Sequence, residues 1–394
     1  MIKSYSLRRA RQTACAAMFS FALLSNVQAA KPNPPEPFCI DDACVATPAP
    51  VTGGAKKWHP GHYTWVGELR LQDAAVQTSV LNFIDTLANE PHVKGIQLIA
   101  YWSALEGNTA GSYAQGFATI DKILARLAKY DKYLMLSIQD RTFGASGSDH
   151  TRYFPAYIVN GSQYGITSTT VGLAARVWQA PTNDRLIALS KAYAERYNDH
   201  PNFEMFTLAE TSLNLSAGTD GFSNPALATQ IKRLLDAASK QWPNTNLRVS
   251  SNWIGTDALM KDLVDYAAAR NVALGGPDVL PREDISANRA FAGALGGTDY
   301  RGKSTWVSEI QAPELSGKEG TWTPSQLYSH ALNGGGASNA VAQKPQYMIW
   351  YMNTWAGSSP QFWATGILPF IRSVKGAVAT TACPTMYKDG CNTN

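Results

Sequence analysis

Glu210 and Glu309 lie 99 positions apart, and each closes a short apolar run that reads as a buried strand. The first run, 202–210, is Asn-Phe-Glu-Met-Phe-Thr-Leu-Ala-Glu; the second, 304–309, is Ser-Thr-Trp-Val-Ser-Glu. Glutamate is depleted in strands and costly to bury without a partner, so two strands that end in a carboxyl are unusual. Brought face to face, the two can divide one reaction between them. One carboxylic acid protonates a leaving oxygen, and one carboxylate attacks carbon or activates water, as cleavage of a glycosidic bond requires.

Other carboxylates compete for those roles. Asp140 closes a run at 133–139, Glu106 and Asp278 follow strand candidates, and Glu68 closes the first one. Each reads better as a substrate hydrogen-bonder or as a partner for Arg141 or Arg282 than as a catalyst. Glu204 begins its strand and so belongs at the opposite end, as a structural group. Aromatic residues gather at the same strand ends: Trp65, Tyr101, Trp102, Trp253, Trp350, Tyr351 and Trp355. Flat rings suit the C–H faces of sugars. Trp102, Trp253 and Trp355, among polar neighbours, are expected to be sugar platforms, and about half of the aromatic set to be core. His59 and His62 offer two nitrogens to a metal, but no third or fourth ligand is evident, so no metal is expected. No Gly-x-Ser-x-Gly elbow is present, and no dinucleotide or phosphate loop follows a strand, so no cofactor is expected.

Elements able to position the two glutamates recur in order. Strand candidates fall at 63–68, 95–101, 133–139, 203–210, 247–251, 272–276, 305–309 and 347–351. Helical apolar spacing separates them at 74–88, 117–129, 184–197, 225–241 and 256–269, with weaker stretches at 286–295, 324–332 and 361–374. Eight alternations predict a single-domain α/β fold, a closed (β/α)8 TIM barrel. In that fold catalytic groups sit at the carboxyl ends of the strands, and Glu210 and Glu309 would end strands four and seven. The longest strand-to-helix segment, 140–183, either builds the site or folds on itself as an insertion.

This arrangement resembles the clan A glycoside hydrolases, which are retaining (β/α)8-barrel enzymes. Glu210 in Leu208-Ala209-Glu210 matches their acid/base, and Glu309 in Val307-Ser308-Glu309 matches their nucleophile. Trp350 and Trp355 fall where the clan often carries a strand-eight tryptophan under the sugar. The resemblance covers roughly 58–375. It departs at Ala209, because clan members usually have Asn before the acid/base, bonded to the sugar 2-hydroxyl. That contact must come from elsewhere, with Asn252 the candidate. The expected protein is a hydrolase that cleaves a polysaccharide or oligosaccharide with retention, in an endo mode suggested by the long loop. Substrate-binding roles fall to Trp102, Asp140, Asn252, Trp253, Trp350 and Trp355. The alternatives are a non-catalytic carbohydrate-binding barrel, or an inverting hydrolase or lyase on the same fold.

The ends of the chain say where it works. Residues 1–29 read as a signal peptide, with Lys3, Arg8, Arg9 and Arg11 before an apolar stretch and Val27-Gln28-Ala29 as the cleavage site. A secreted or periplasmic location is expected. Of 34 basic residues four lie in this leader, which has no acidic residue, so the rest carries 30 basic and 30 acidic residues. That balance argues against nucleic acid as a partner. No apolar run is long enough for a membrane span, and a monomer is expected. Residues 30–57 form a Pro-rich arm, 58–376 the barrel, and 377–394 a tail. Cys39, Cys44, Cys383 and Cys391 remain outside the leader. An even number in an exported chain predicts disulfides, either two local loops, Cys39–Cys44 and Cys383–Cys391, which is the first expectation, or a staple joining the two ends.

Overall fold

A computed structural model describes residues 39–40, 43–44, 54–144, 148–279, 281, 285–311, 322–336, 340–351 and 362–394. They belong to one compact unit, Pro37–Asn394. Eight strands close into a barrel: β1 Gly61–Leu69, β2 Val93–Tyr101, β3 Tyr133–Gln139, β4 Phe203–Leu208, β5 Asn246–Ser250, β6 Ala273–Gly276, β7 Trp306–Ile310 and β8 Tyr347–Tyr351. Each is hydrogen-bonded to its neighbours in chain order, and β8 returns to β1 with Tyr347 opposite Gly61. All eight pairings are parallel. The predicted (β/α)8 barrel is therefore the fold observed, and the strand boundaries move by no more than two residues at either end.

Helices fill the crossovers: α1 Ala74–Thr86, α2 Ala114–Ala128, α3 Ala180–Tyr197, α4 Asn224–Gln241, α5 Asp257–Ala268, α6 Ser286–Phe291, α7 Pro324–Asn333 and α8 Leu368–Ser373. Their starts are written in the sequence. Ser223 accepts from the Ala226 amide ahead of α4, Thr256 from Leu259 ahead of α5, and Thr323 forms a capping box with Gln326 ahead of α7. Such caps satisfy amides that lack an intrahelical partner, each worth about 1 kcal/mol.

Strand alternation divides the core in two. Phe203, Phe206, Trp306 and Trp350 face the helices; Tyr63, Met205, Val307, Tyr347 and Ile349 fill the barrel. On the helix side Trp242 stacks on Phe203 and Phe206 at centroid distances of 5.4 and 4.9 Å. Segments flanking the barrel on both sides close its floor. Lys56–Lys57 pairs with Cys391–Asn392, and the Tyr387 hydroxyl bonds Thr305 and Asn246, each at 2.8 Å. The end of the arm and the tail are thus packed into the barrel base rather than lying outside it. Glu204 sits on this floor as a structural group. The His59 amide and the Tyr347 hydroxyl donate to its Oε1 at 2.9 and 2.6 Å, and His59 Nδ1 lies 2.7 Å from Oε2.

Cys383 is bonded to Cys391. Cys39 and Cys44 oppose each other across a two-residue antiparallel ladder; their side chains, and residues 1–29, which were expected to be a signal peptide, lie outside what the structure describes. Among the described residues no helix is long and apolar enough to cross a membrane.

Candidate active site

Glu309 reaches the lumen because of its place in β7. Trp306 and Ile310 pack on the helix side and Val307 inward, so Glu309, two residues after Val307, also points inward. It is 4% exposed. Gln97 Nε2 from β2 donates to its Oε1 at 2.7 Å, and Arg248 Nη1 from β5 donates to the same oxygen at 2.6 Å. Arg248 is fully buried, and its Nε and Nη2 have no hydrogen-bond partner among the described residues. Gly275 leaves room for it. A Cβ there would sit 3.0 Å from Arg248 Nε and Nη2 and 2.2 Å from the Val307 carbonyl oxygen.

Glu210 stands two residues beyond the end of β4, on a loop laced to the one after β5. The Thr211 amide donates to the Ser250 carbonyl at 3.0 Å, and the Asn252 amide donates to Thr211 Oγ1 at 2.9 Å. Asn252 Nδ2 then donates to Glu210 Oε1. Burial raises the Glu210 pKa above the ordinary carboxylate value; the charges of Glu309 and Asp140 push the same way, against Arg141 and the Asn252 hydrogen bond. The two glutamates therefore influence one another electrostatically, with the pKa of Glu210 raised and Glu309 paired with a guanidinium.

The remaining candidates separate. Asp140, 3% exposed, accepts from Arg141 Nε at 2.9 Å, while Arg141 Nη1 donates to the Ser212 carbonyl; the pair braces the β4 loop. Asn252 holds Glu210 itself. Trp253 is 57% exposed. Trp102 does not fit the expected platform: it is fully buried in the helix-side core and donates to Glu106 Oε2 at 2.9 Å. Trp350 is likewise fully buried on the helix side, bonded through Nε1 to His62 Nδ1 at 2.8 Å. Neither ring has a face to offer a sugar. Trp355 and Arg282 lie outside the described residues, as does the side chain of Glu68. Glu106 is neither substrate contact nor partner of Arg141. It is fully buried and takes hydrogen bonds from Trp102, the Gly111 amide, Tyr157 and Arg185. The long 140–183 segment does fold on itself, through a hairpin of Ile166–Ser168 and Leu173–Ala175, and its tip also meets the β4 loop. His59 and His62 serve different partners, Glu204 and the Ala377 carbonyl. Among the described residues no group of three or more His, Cys, Asp or Glu is placed to hold a metal.

Gln97 and Arg248 were not among the expected site residues. Arg248 carried a signal of the kind that marked the glutamates, a charge between the apolar Leu247 and Val249 of a strand. Gln97 carried a weaker one, an amide within the apolar run of β2.

No protein-family model matches the chain, and no curated protein does. Solved structures to which it is similar include a β-galactosidase from Bacillus circulans sp. alkalophilus, at 13% identity and TM-score 0.48, over 75% of this chain and 50% of that one. The chain thus spans about half the length of that enzyme. A GH5_18 protein from Streptomyces cattleya in complex with GlcNAc is similar at 12% identity and TM-score 0.44, over 75% and 70% of the two chains. Endo-glycoceramidase II from Rhodococcus sp. is similar at 12% identity and TM-score 0.41, over 69% and 78%.

Proposed function

We propose that this chain is an exported glycoside hydrolase that cleaves a polysaccharide or oligosaccharide internally and with retention, with Glu309 as nucleophile and Glu210 as acid/base. The observation that carries the reading is the unequal setting of the two carboxyls. Glu309 is buried against Arg248 and Gln97, which suits a carboxylate that must attack with its charge and geometry fixed. Glu210 has its pKa raised, chiefly by burial, which suits an acid that must hold a proton until the leaving oxygen needs it.

The steps follow from that inequality. Glu210 protonates the glycosidic oxygen as a Glu309 oxygen bonds to the anomeric carbon and the C–O bond to the leaving sugar breaks. Glu309 is now an ester and has lost its charge. One of the influences that raised the Glu210 pKa is gone, so the Glu210 carboxylate is better able to remain ionised and act as base. It takes a proton from water as that water attacks the anomeric carbon and releases Glu309.

The test is a panel of neutral and charged polysaccharides and aryl glycosides, with the anomer of the first-formed product read by NMR. Products of retained configuration are expected. First-formed products of inverted configuration would overturn the nucleophile assignment. Saccharide binding without turnover anywhere on the panel would make the protein a carbohydrate-binding barrel.

A further inference from the structure

A pocket opens where three loops meet, lined by Trp253, the neighbour of the Asn252 that bonds Glu210. The hairpin tip contributes Thr170, the β4 loop Asn214, Ser216 and Phe222, the start of α4 Asn224, and the β5 loop Trp253. Its volume is about 260 Å³, far above the roughly 10–15 Å³ that a single water needs on the same measure. No charged side chain lines it. Trp253, 57% exposed, and Val171, 43% exposed, are the exposed large apolar residues among those described, and Val171 adjoins Thr170.

The pocket is built rather than left over. The Thr170 amide donates to the Asn214 carbonyl at 3.3 Å, tying the hairpin tip to the β4 loop. Phe222 packs edge-on against Trp178 at 5.4 Å. Gly255, at φ +93°, lets the β5 loop approach α4; a Cβ there would sit 2.4 Å from Asn224 Nδ2. Short amides and hydroxyls, together with Leu213, Leu215, Phe222 and the exposed Trp253 ring, suit a neutral polyol with an apolar side. A charged ligand would find no counter-charge in the lining.

Its position gives the pocket a role. Trp253 follows Asn252, whose amide holds Glu210. An acid must stand beside the oxygen it protonates, so the leaving sugar lies on the Glu210 side of the broken bond. We propose that this pocket is a subsite for a neutral pyranose ring on the leaving-group side, with Trp253 as its stacking face. The assignment rests on the glycosidase reading for its direction. The pocket's preference for a neutral ring does not depend on turnover.

The test uses the full chain carrying Glu309→Gln, titrated calorimetrically with manno- and cello-oligosaccharides from disaccharide to hexasaccharide, and with oligogalacturonides as the charged contrast. At least one neutral series is expected to bind, more tightly as the chain lengthens, and oligogalacturonides less tightly. Trp253→Ala in the same background should weaken the longer neutral chains roughly tenfold and flatten the dependence on length. Trp253→Phe should restore most of the loss, which a folding defect would not allow. Unchanged affinity in Trp253→Ala, equal binding of oligogalacturonides, or no binding of either neutral series would overturn the subsite. Hydrolysis of short aryl glycosides by the parent protein tests the catalytic reading separately. If the parent hydrolyses them and Trp253→Ala binds normally, only the subsite falls; if the parent hydrolyses nothing and the Trp253 effect stands, only the catalytic reading falls.

Discussion

Arg248 Nη1 lies 2.6 Å from Glu309 Oε1 inside the barrel, with side-chain exposures of 0% and 5%. Removing one partner of a buried ion pair leaves the other charge uncompensated, at a typical cost of about 3–5 kcal/mol. Arg248→Met should therefore destabilise the protein by about that amount in urea unfolding. Adding Glu309→Gln should recover part of the loss, because no buried carboxylate is then left alone. A single variant within about 0.5 kcal/mol of the parent would mean that the pair contributes nothing to stability.

Gly275 is predicted to resist even the smallest side chain. A Cβ would meet the Val307 carbonyl oxygen at 2.2 Å, and that oxygen is fixed by the β6–β7 ladder. Gly275→Ala should cost about 1–3 kcal/mol as an overpacked site. It should also lower kcat, because the relaxing element is the Arg248 guanidinium that braces Glu309. Denaturation and steady-state kinetics on one preparation check both halves.

The two glutamates should differ in their response to the leaving group. Glu309→Gln removes the attacking carboxylate and should suppress turnover of every substrate. Glu210→Gln removes proton donation, typically worth about 10²–10⁴-fold, and should spare the first step for activated aryl leaving groups while losing natural glycosides. Stopped-flow release of the aryl group separates the cases. Parent-like activity in Glu309→Gln would remove it from the mechanism.

The direction of the Glu210 pKa shift fixes the sign of two pH effects. The folded protein holds this proton at a pH where the unfolded chain has released it. Activity that needs the protonated acid should fall as pH rises through the raised value. The stability contribution of this group is present below the ordinary carboxylate pKa and is lost as pH rises through the raised one. Glu210→Gln should remove that decline, which chemical denaturation across the acidic to neutral range will reveal.

The floor should tolerate loss of the disulfide better than loss of its packing. Cys383–Cys391 closes a loop of sequence separation 8, for which chain entropy gives about 2–3 kcal/mol. The barrel is expected to remain folded after reduction. Tyr387→Ala removes a buried ring and its bonds to Thr305 and Asn246. Large-to-small losses of this kind cost about 3–5 kcal/mol, so this variant should melt lower than the reduced parent.

Order and periodicity along the chain were enough to predict eight alternations and two misplaced carboxyls. Those are local properties: apolar spacing selects helix or strand, and a glutamate in a strand is anomalous wherever the strand goes. Which face a residue takes was not local. Glu309 pairs in register with Ile349, so both point into the barrel and Trp350, one step on, turns to the helices. The sequence shows Trp350 as an aromatic residue near a strand end; only the register says that it is core. Trp102 went the same way, because the short helix Trp102–Leu105 after β2 carries its indole inward to Glu106. Trp253 went the other way, onto the surface.

The pairing of charges was decided later still. Arg248 and Gln97 stand 61 and 212 positions from Glu309, and only closure of the sheet brings β2 and β5 to face β7 across the lumen. A barrel places side chains from distant strands within bonding distance because each strand contributes alternate residues to one enclosed space. The sequence alone determined that carboxyls would stand at strand ends. The closed sheet decided which of them would meet an arginine and which would have its pKa raised by burial.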